Sequence, residues 1–278
     1  MDYGLEGKVA LVTGTASQIG QGKAIALTLA REGCDVICND IDLDIYDRGA
    51  EQTALEVKAL GRKAIALAAD VAISAQVNEM VKLALEHFGK IDILVNNAGG
   101  ESRTAGLKSD EERWTRIMDV NLRGAVNCMD AVLPGMIARK YGKICSTSSH
   151  AGLIGPPAMP YKSGYGVAKT ALQALTRQVA LAVGPSGINV NAIIPGWVIT
   201  NLTLKDIPNP LAFYNITLKE IPKDDSVTEK AKTMAARMPS RRINTTQDIA
   251  NLVVFLVSDV SRQIMGQAIF IDGGMHMA

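Results

Sequence analysis

The chain has 278 residues, long enough to bury the core of one large α/β domain. Its 29 Lys and Arg against 28 Asp and Glu leave a formal charge of +1, so no basic excess points to nucleic acid or to an anionic membrane surface as a partner. The stretch Met1 to Glu6 lacks the basic and apolar regions of a signal peptide, and no apolar run is long enough to span a bilayer, so a soluble cytoplasmic protein is expected.

Taken in order, Lys8 to Thr13 is a short apolar strand ending at Gly14, and a helical pattern from Lys23 to Arg31 follows, closed by Gly33. Asp35 to Asp40 reads as a second strand, and Lys63–Ala68, Ile91–Val95, Gly142–Thr147, Ile188–Ile194 and Ala268–Ile271 as further ones, with helical stretches between them. Continuous apolar strands alternating with amphipathic helices predict a doubly wound, mostly parallel seven-stranded α/β sheet of Rossmann type with helices on both faces. No internal repeat or linker divides the chain, so residues 1–278 are expected to form a single domain. Cys34, Cys38, Cys128 and Cys145 fall in segments that look buried and read as reduced core thiols. His87, His150 and His276 are too few and too scattered for a metal cluster, and no metal is expected.

The first strand runs into the turn Thr13-Gly14-Thr15-Ala16-Ser17-Gln18-Ile19-Gly20-Gln21-Gly22. Glycines there permit close backbone approach to a pyrophosphate, and the following helix N-terminus offers free N–H groups and a favourable dipole. Gly14, Ser17, Gly20, Gln21 and Gly22 are therefore candidate cofactor-binding residues. Asp40 ends the next strand eighteen residues after Gly22, where a carboxylate accepts hydrogen bonds from an adenosine ribose. That carboxylate repels a 2′-phosphate, and neither the glycine turn nor the residue after Asp40 supplies Arg or Lys, so the expected cofactor is NAD rather than NADP.

Tyr165 and Lys169 lie four apart in a helical stretch, which puts both on one face. A phenol has a pKa of about 10, too high for efficient proton exchange at neutral pH, and a nearby ammonium lowers it. The two make an acid–base pair.

With these residues assembled, the sequence resembles the short-chain dehydrogenase/reductase family over nearly its whole length. The motifs that carry the resemblance follow in order: the glycine turn, Asp70-Val71, Asn96-Asn97-Ala98-Gly99, Asn121, Ser148-Ser149, Tyr165-x-x-x-Lys169, Pro195-Gly196 with Thr200, and Asp272-Gly273-Gly274. The resemblance implies that Asp70 and Val71 hold the adenine, that Asn97 and Gly99 line the cofactor, and that Val198 and Thr200, after Pro195 and Gly196, engage the nicotinamide amide. It also implies a homotetramer.

Two loops depart from the family pattern. Five residues, Thr15 to Ile19, separate Gly14 from Gly20, and aligning Gly20-Gln21-Gly22 with the helix start gives a phosphate loop with two extra residues. A longer loop is reminiscent of the enoyl-acyl-carrier-protein reductase branch, but that branch spaces its Tyr and Lys more widely, and the wider interval counted back from Lys169 lands on Lys162. The family serine usually precedes the tyrosine by thirteen, and Gly152 stands there. Ser149-His150-Ala151-Gly152 matches the family's Ser-x-x-Gly, which selects Ser149, with Ser148 in reserve and Tyr161 set aside because Lys does not follow at its fourth position.

The expected reaction is reversible oxidation of a secondary alcohol to a ketone. Tyr165 takes the hydroxyl proton, Ser149 orients the substrate oxygen, Lys169 lowers the Tyr165 pKa and binds ribose, and Asn121 holds a water that passes protons outward. Residues 197–242 break the strand–helix rhythm and are expected to form a substrate lid; an oligomer contact is the alternative. His150 and Glu101 stand where substrate-facing residues are expected, and Met275 and Met277 around His276 read as packing at a subunit interface. A non-catalytic NAD-binding sensor on the same fold is the second functional class, and the Asn121, Ser149, Tyr165 and Lys169 set favours the enzyme.

Overall fold

The computed structural model describes residues 2–43, 45–100, 109–153, 164–200, 233 and 235–276. Glu101, Tyr161, Lys162, Met277 and most of the expected lid lie outside the described residues. The strands are β1 Val9–Thr13, β2 Asp35–Asp40, β3 Ala64–Ala68, β4 Ile93–Asn96, β5 Gly142–Thr147, β6 Ile188–Pro195 and β7 Ala268–Ile271. The helices are α1 Gln21–Arg31, α2 Ile45–Ala59, α3 Ser74–Phe88, α4 Asp110–Met118, α5 Gly124–Arg139, α6 Tyr165–Val183 and α7 Thr246–Val257. All seven strands pair in parallel in the order β3-β2-β1-β4-β5-β6-β7, in a single domain of Rossmann type.

The sheet explains the unbroken apolar runs. Successive residues of a strand point to opposite faces, so Ala10 and Val12 pack with Ile25, Leu29, Ile249 and Val253 of α1 and α7. Val9 and Leu11 turn the other way, against Val77, Met80, Met129 and Leu172 of α3, α5 and α6. With helices on both sides, every residue of β1, β4, β5 and β6 is buried, whereas the edge strands β3 and β7 are largely half-exposed. All four cysteines are buried free thiols, and burial pushes each up to about 12, which suppresses the reactive thiolate.

Strand order reverses at β1, which is flanked by β2 on one side and β4 on the other. At such a switch point the loops leaving the strand ends diverge and open a crevice. The candidate residues after β1, β4, β5 and β6 all stand at this end of the sheet.

Candidate active site

The crevice begins at the glycine turn. Gly14 leaves β1 with φ +75°, in the left-handed region that favours glycine. Helix α1 opens at Gln21 with Gly20 as an uncapped N-cap and no acid in its first turn, so its N–H groups and the positive end of its dipole face the turn. Gly22 lies against the Gly14 carbonyl oxygen, so closely that a Cβ there would collide with it. That contact makes Gly20-Gln21-Gly22 the helix start, and the extra residues form a packed bulge. Ala16 and Ile19 are buried, and the Gln18 amide donates to the Ala16 and Gly49 carbonyls at 3.1 and 3.0 Å. Gly20 N donates to Ser17 O at 2.9 Å, while the Gln21 Oε1 is buried with no hydrogen-bond partner among the described residues. Asp40 accepts from Ala16 N at 2.9 Å and from Ile41 N at 2.8 Å, so its carboxylate orders the turn.

Around β4, Asn97 donates from Nδ2 to the Thr13 and Gly14 carbonyls at 3.0 and 3.2 Å, tying β4 to the phosphate turn. Asp70 is paired with Arg116 of α4 at 2.8 Å and accepts from Ala72 N at 3.0 Å. Sequence reasoning did not single out Arg116, because nothing in its spacing from Asp70 marks it. Val71 is buried and packs so tightly on α5 that a Cβ on Gly124 would come within 2.6 Å of it.

Asn121 sits in a π-helical turn, Asp119–Arg123, between α4 and α5. Its Nδ2 donates to the Gly100 and Ile117 carbonyls at 3.1 and 2.9 Å, and its Oδ1 accepts from Gly100 N at 2.9 Å. Both amide donors are thus occupied within the protein, and the side chain braces the β4 loop. The wider π turn displaces backbone carbonyls from their usual partners, a device common at functional sites. Gly99 lies between two site residues: a Cβ there would stand 2.5 Å from Asn121 Oδ1 and 3.0 Å from Lys169 Nζ.

The two serines after β5 have different surroundings. Ser148 is buried, donates to the Lys169 carbonyl at 2.8 Å and accepts from Gln173 Nε2 at 2.9 Å, so its hydroxyl is fully occupied. Ser149 is half-buried and accepts from Ala151 N at 3.2 Å, leaving its own O–H to donate. The Ser149 loop is clamped to the start of α6: a Cβ on Gly166 would lie 2.7 Å from the Ala151 carbonyl oxygen, and one on Gly152 would collide with Thr170 Oγ1. Thr170 also donates to the Gly152 carbonyl at 3.0 Å. The glycine of Ser-x-x-Gly is therefore what brings Ser149 alongside the Tyr165 helix.

Tyr165 is the first residue of α6, after Gly164 at φ +71°. Lys169 is 3% exposed, donates to the Thr147 carbonyl at 2.8 Å and places Nζ 5.7 Å from the centre of the Tyr165 ring. Burial lowers the Lys169 ammonium from 10.5 to about 8. An anionic phenolate beside it would favour the charged form.

Pro195 ends β6, and Gly196 packs against Asp272, whose Cβ would stand 2.6 Å from a Cβ at that position. Val198 is bridged in parallel to Asn244 and its side chain lies in the core, so it can reach a ligand only through its main chain. Thr200 is the last described residue of this loop. Beyond β7, Asp272 is buried and accepts from Gly274 N at 2.9 Å and from His276 N and Nδ1 at 2.9 and 2.6 Å. The His276 ring stacks on Phe270 and meets His150 edge-on at 5.5 Å, and His150 meets Trp197 at 5.7 Å. The two histidines that look scattered in the sequence are neighbours because β5, β6 and β7 are adjacent. Burial, and next the nearby His276, hold His150 below its ordinary value.

The family model described as enoyl-(acyl carrier protein) reductase matches residues 14–276. The (2S)-[(R)-hydroxy(phenyl)methyl]succinyl-CoA dehydrogenase subunit BbsD of Thauera aromatica is 35% identical over 274 residues, 99% of this chain and 98% of that one. Among solved structures, L-sorbose reductase of Gluconobacter frateurii, complexed with NADPH and L-sorbose, superposes with a TM-score of 0.83 at 31% identity, covering 99% of this chain and 98% of that one. An NAD+-bound xylitol dehydrogenase gives 0.79 at 32%, covering 97% and 99%. The chain belongs to the short-chain dehydrogenase/reductase family and is an oxidoreductase of that type.

Proposed function

We propose that the protein is an NAD-dependent dehydrogenase, acting reversibly on a secondary alcohol and its ketone. The observation that supports this reading best is the close packing of the Ser149 loop on the start of α6, where Gly152 and Gly166 leave no room for a Cβ between the loop and the helix that carries Tyr165 and Lys169. The cofactor fits the residues present: α1 presents an uncapped N-terminus to the glycine turn, and Gly22 and Gly14 leave no side chain in the way. Gly14, Ser17, Gly20, Gln21 and Gly22 would hold the pyrophosphate. Asp40 would hold the ribose, Asp70 and Val71 the adenine, and Asn97, Gly99, Pro195, Gly196, Val198 and Thr200 the remainder. When bound, the nicotinamide ring supplies hydride acceptance or donation at the substrate carbon.

The relatives described above include one holding NADPH and one holding NAD+, so likeness leaves the choice to local chemistry. Asp40 disfavours a 2′-phosphate, and Lys23, the cation that touches the glycine turn, is engaged by Glu56 at 2.6 Å and by Gln18 at 2.6 Å. At the reacting centre Ser149 donates to the substrate oxygen, and Tyr165 exchanges the proton with that oxygen. Lys169 supplies a positive charge that favours the phenolate, and Asn121 keeps the β4 loop and Lys169 in register. Residues 197–242 serve as a lid over the substrate. Ile137, Val167 and Leu181 are exposed apolar residues on α5 and α6, which supports a homotetramer in the cytoplasm, with four reduced thiols.

The experiment is nicotinamide absorbance with a panel of secondary alcohols, each with NAD and NADP, for wild type and Tyr165→Phe. Turnover that prefers NAD and falls at least a hundredfold in Tyr165→Phe is expected, in line with loss of general acid–base catalysis of about 10²–10⁴. Near-normal turnover in the variant would sink the assignment, and NAD binding without any turnover would favour a sensor. The description of the matching family model favours a second reading, reduction of a conjugated carbon–carbon double bond. A crotonyl thioester with NADH tests it, and preference for that substrate over ketones would establish it.

A further inference from the structure

The loops after β5, β6 and β7 meet at the crevice end of the sheet and contribute His150, Trp197 and His276 to one cluster. Within it, His150 Nδ1 and His276 Nε2 are both buried with no hydrogen-bond partner among the described residues. Buried polar atoms are nearly always paired, and two unpaired nitrogens on rings that meet edge-on, one of them on the residue after Ser149, mark a place where a ligand completes the bonding. The aromatic walls, Trp197 and Phe270, leave little else polar to serve them.

The chemistry of the ligand follows from what these nitrogens can bond. The Asp272 carboxylate only accepts, so at 2.6 Å His276 Nδ1 is the donor to it, and Nε2 is the ring nitrogen left to meet a ligand. Burial disfavours the charged form of His150, and its Nδ1 can serve as donor or acceptor according to tautomer. A hydroxyl both donates and accepts. We propose that His150 Nδ1 and His276 Nε2 form a subsite beside Ser149 for a second hydroxyl of the substrate, so that the preferred substrate is a diol or its hydroxyketone. This rests on the dehydrogenase reading above, in which Ser149 and Tyr165 hold the first oxygen.

The test compares kcat/KM for butan-2-ol with butane-2,3-diol, and for cyclohexanol with cyclohexane-1,2-diol, in wild type, His150→Phe and His276→Phe. Phenylalanine keeps an aromatic ring and deletes the nitrogens. Wild type should prefer the diol about tenfold, the equivalent of one hydrogen bond, and the diol-to-alcohol ratio should fall toward one in each variant. His276→Phe leaves Asp272 without its ring partner and risks the fold. His150→Phe breaks no hydrogen bond at Nδ1 and keeps the question answerable. An unchanged ratio in folded variants, or equal losses on both members of a pair, would overturn the subsite. Wild type oxidising single alcohols with no diol preference would overturn it and leave the dehydrogenase reading standing, whereas turnover of neither series would overturn both.

Discussion

Gly22→Ala tests the construction of the phosphate turn. The new Cβ would press on the Gly14 carbonyl oxygen and lie 2.8 Å from both Gly14 C and Asn97 Nδ2. None of these atoms is the loose end of a flexible chain. Gly14 belongs to the backbone leaving β1, and Asn97 Nδ2 is already bonded to the Thr13 and Gly14 carbonyls. Relief therefore requires the first turn of α1 to retreat from β1, which stretches those bonds. Overpacking against fixed atoms costs about 1–3 kcal/mol, and weakening two hydrogen bonds adds up to about 1 kcal/mol each. Alanine returns at most about 1 kcal/mol of helix propensity. The net expectation is a loss of about 2 kcal/mol, with NAD affinity reduced at least tenfold because the N–H groups move.

Gly135→Ala is the matched control. It lies inside α5, where the Cβ would meet only Arg139 Nη1 at 3.2 Å, the mobile end of a long side chain, and should stabilise the protein by up to about 1 kcal/mol. Urea unfolding at fixed protein concentration, compared at equal m-value, measures both. If Gly22→Ala unfolds within about 0.5 kcal/mol of wild type and binds NAD normally, the close contact is absent. The register anchored on Ile19-Gly20 would then be the right one.

Three further substitutions separate roles within the site. Ser148→Ala should destabilise by about 1–3 kcal/mol, since Lys169 O and Gln173 Nε2 lose a buried partner, while Ser149→Ala should leave stability nearly unchanged and lower kcat/KM about a hundredfold; the reverse pattern would exchange the two serines. Asp40→Ser removes the negative charge at the ribose and loosens Ala16 of the turn, so the ratio of kcat/KM with NAD to that with NADP should drop at least tenfold, and an unchanged ratio would remove Asp40 from cofactor choice. Lys169 binds its proton less tightly when folded, at about 8 against 10.5, so the unfolded chain holds more protons between those values and stability rises with pH across that window. Compared with Lys169→Met, which lacks the titration, wild type should gain about 2–3 kcal/mol between pH 7 and 10, and a flat difference in denaturant unfolding across that range would refute the burial argument.

Much of the fold is legible in the sequence because parallel strands buried on both faces carry no alternation to misread. Each expected strand lies within about two residues of the observed one, and Ile91–Val95 differs from Ile93–Asn96 only at its ends. The shared face of Tyr165 and Lys169 on α6 was legible for a local reason, since four residues on a helix fix it without knowledge of anything else. The two serines were harder. Adjacent residues leaving a strand point opposite ways, and only the position of Gln173, one turn beyond Lys169, makes Ser148 the buried one. The bonds of the Asn121 amide were not legible, because they go to Gly100, in a loop whose return path the sequence does not reveal.

The glycines show why motif and geometry differ in what they convey. A glycine in a sequence announces a close approach without naming the neighbour. In the structure Gly22 meets Gly14, Gly99 meets Asn121 and Lys169, Gly152 meets Thr170, and Gly196 meets Asp272. These contacts join the ends of β1, β4, β5, β6 and β7 into one continuous rim. The residue types at the ends of β1 and β4 drew attention in the sequence because a dinucleotide site would constrain them to a few types, but the neighbour each glycine meets did not. The contacts at β5 to β7 join loops from distant parts of the chain, and their product is the His150–His276 pair, which no local spacing could announce. In the dehydrogenase proposed above, rigid backbone contact would hold the cofactor half of the rim, while paired rings and an Asp272 bond would hold the substrate half. Specificity can therefore change at His150 and His276 without disturbing the glycine contacts that position the chemistry.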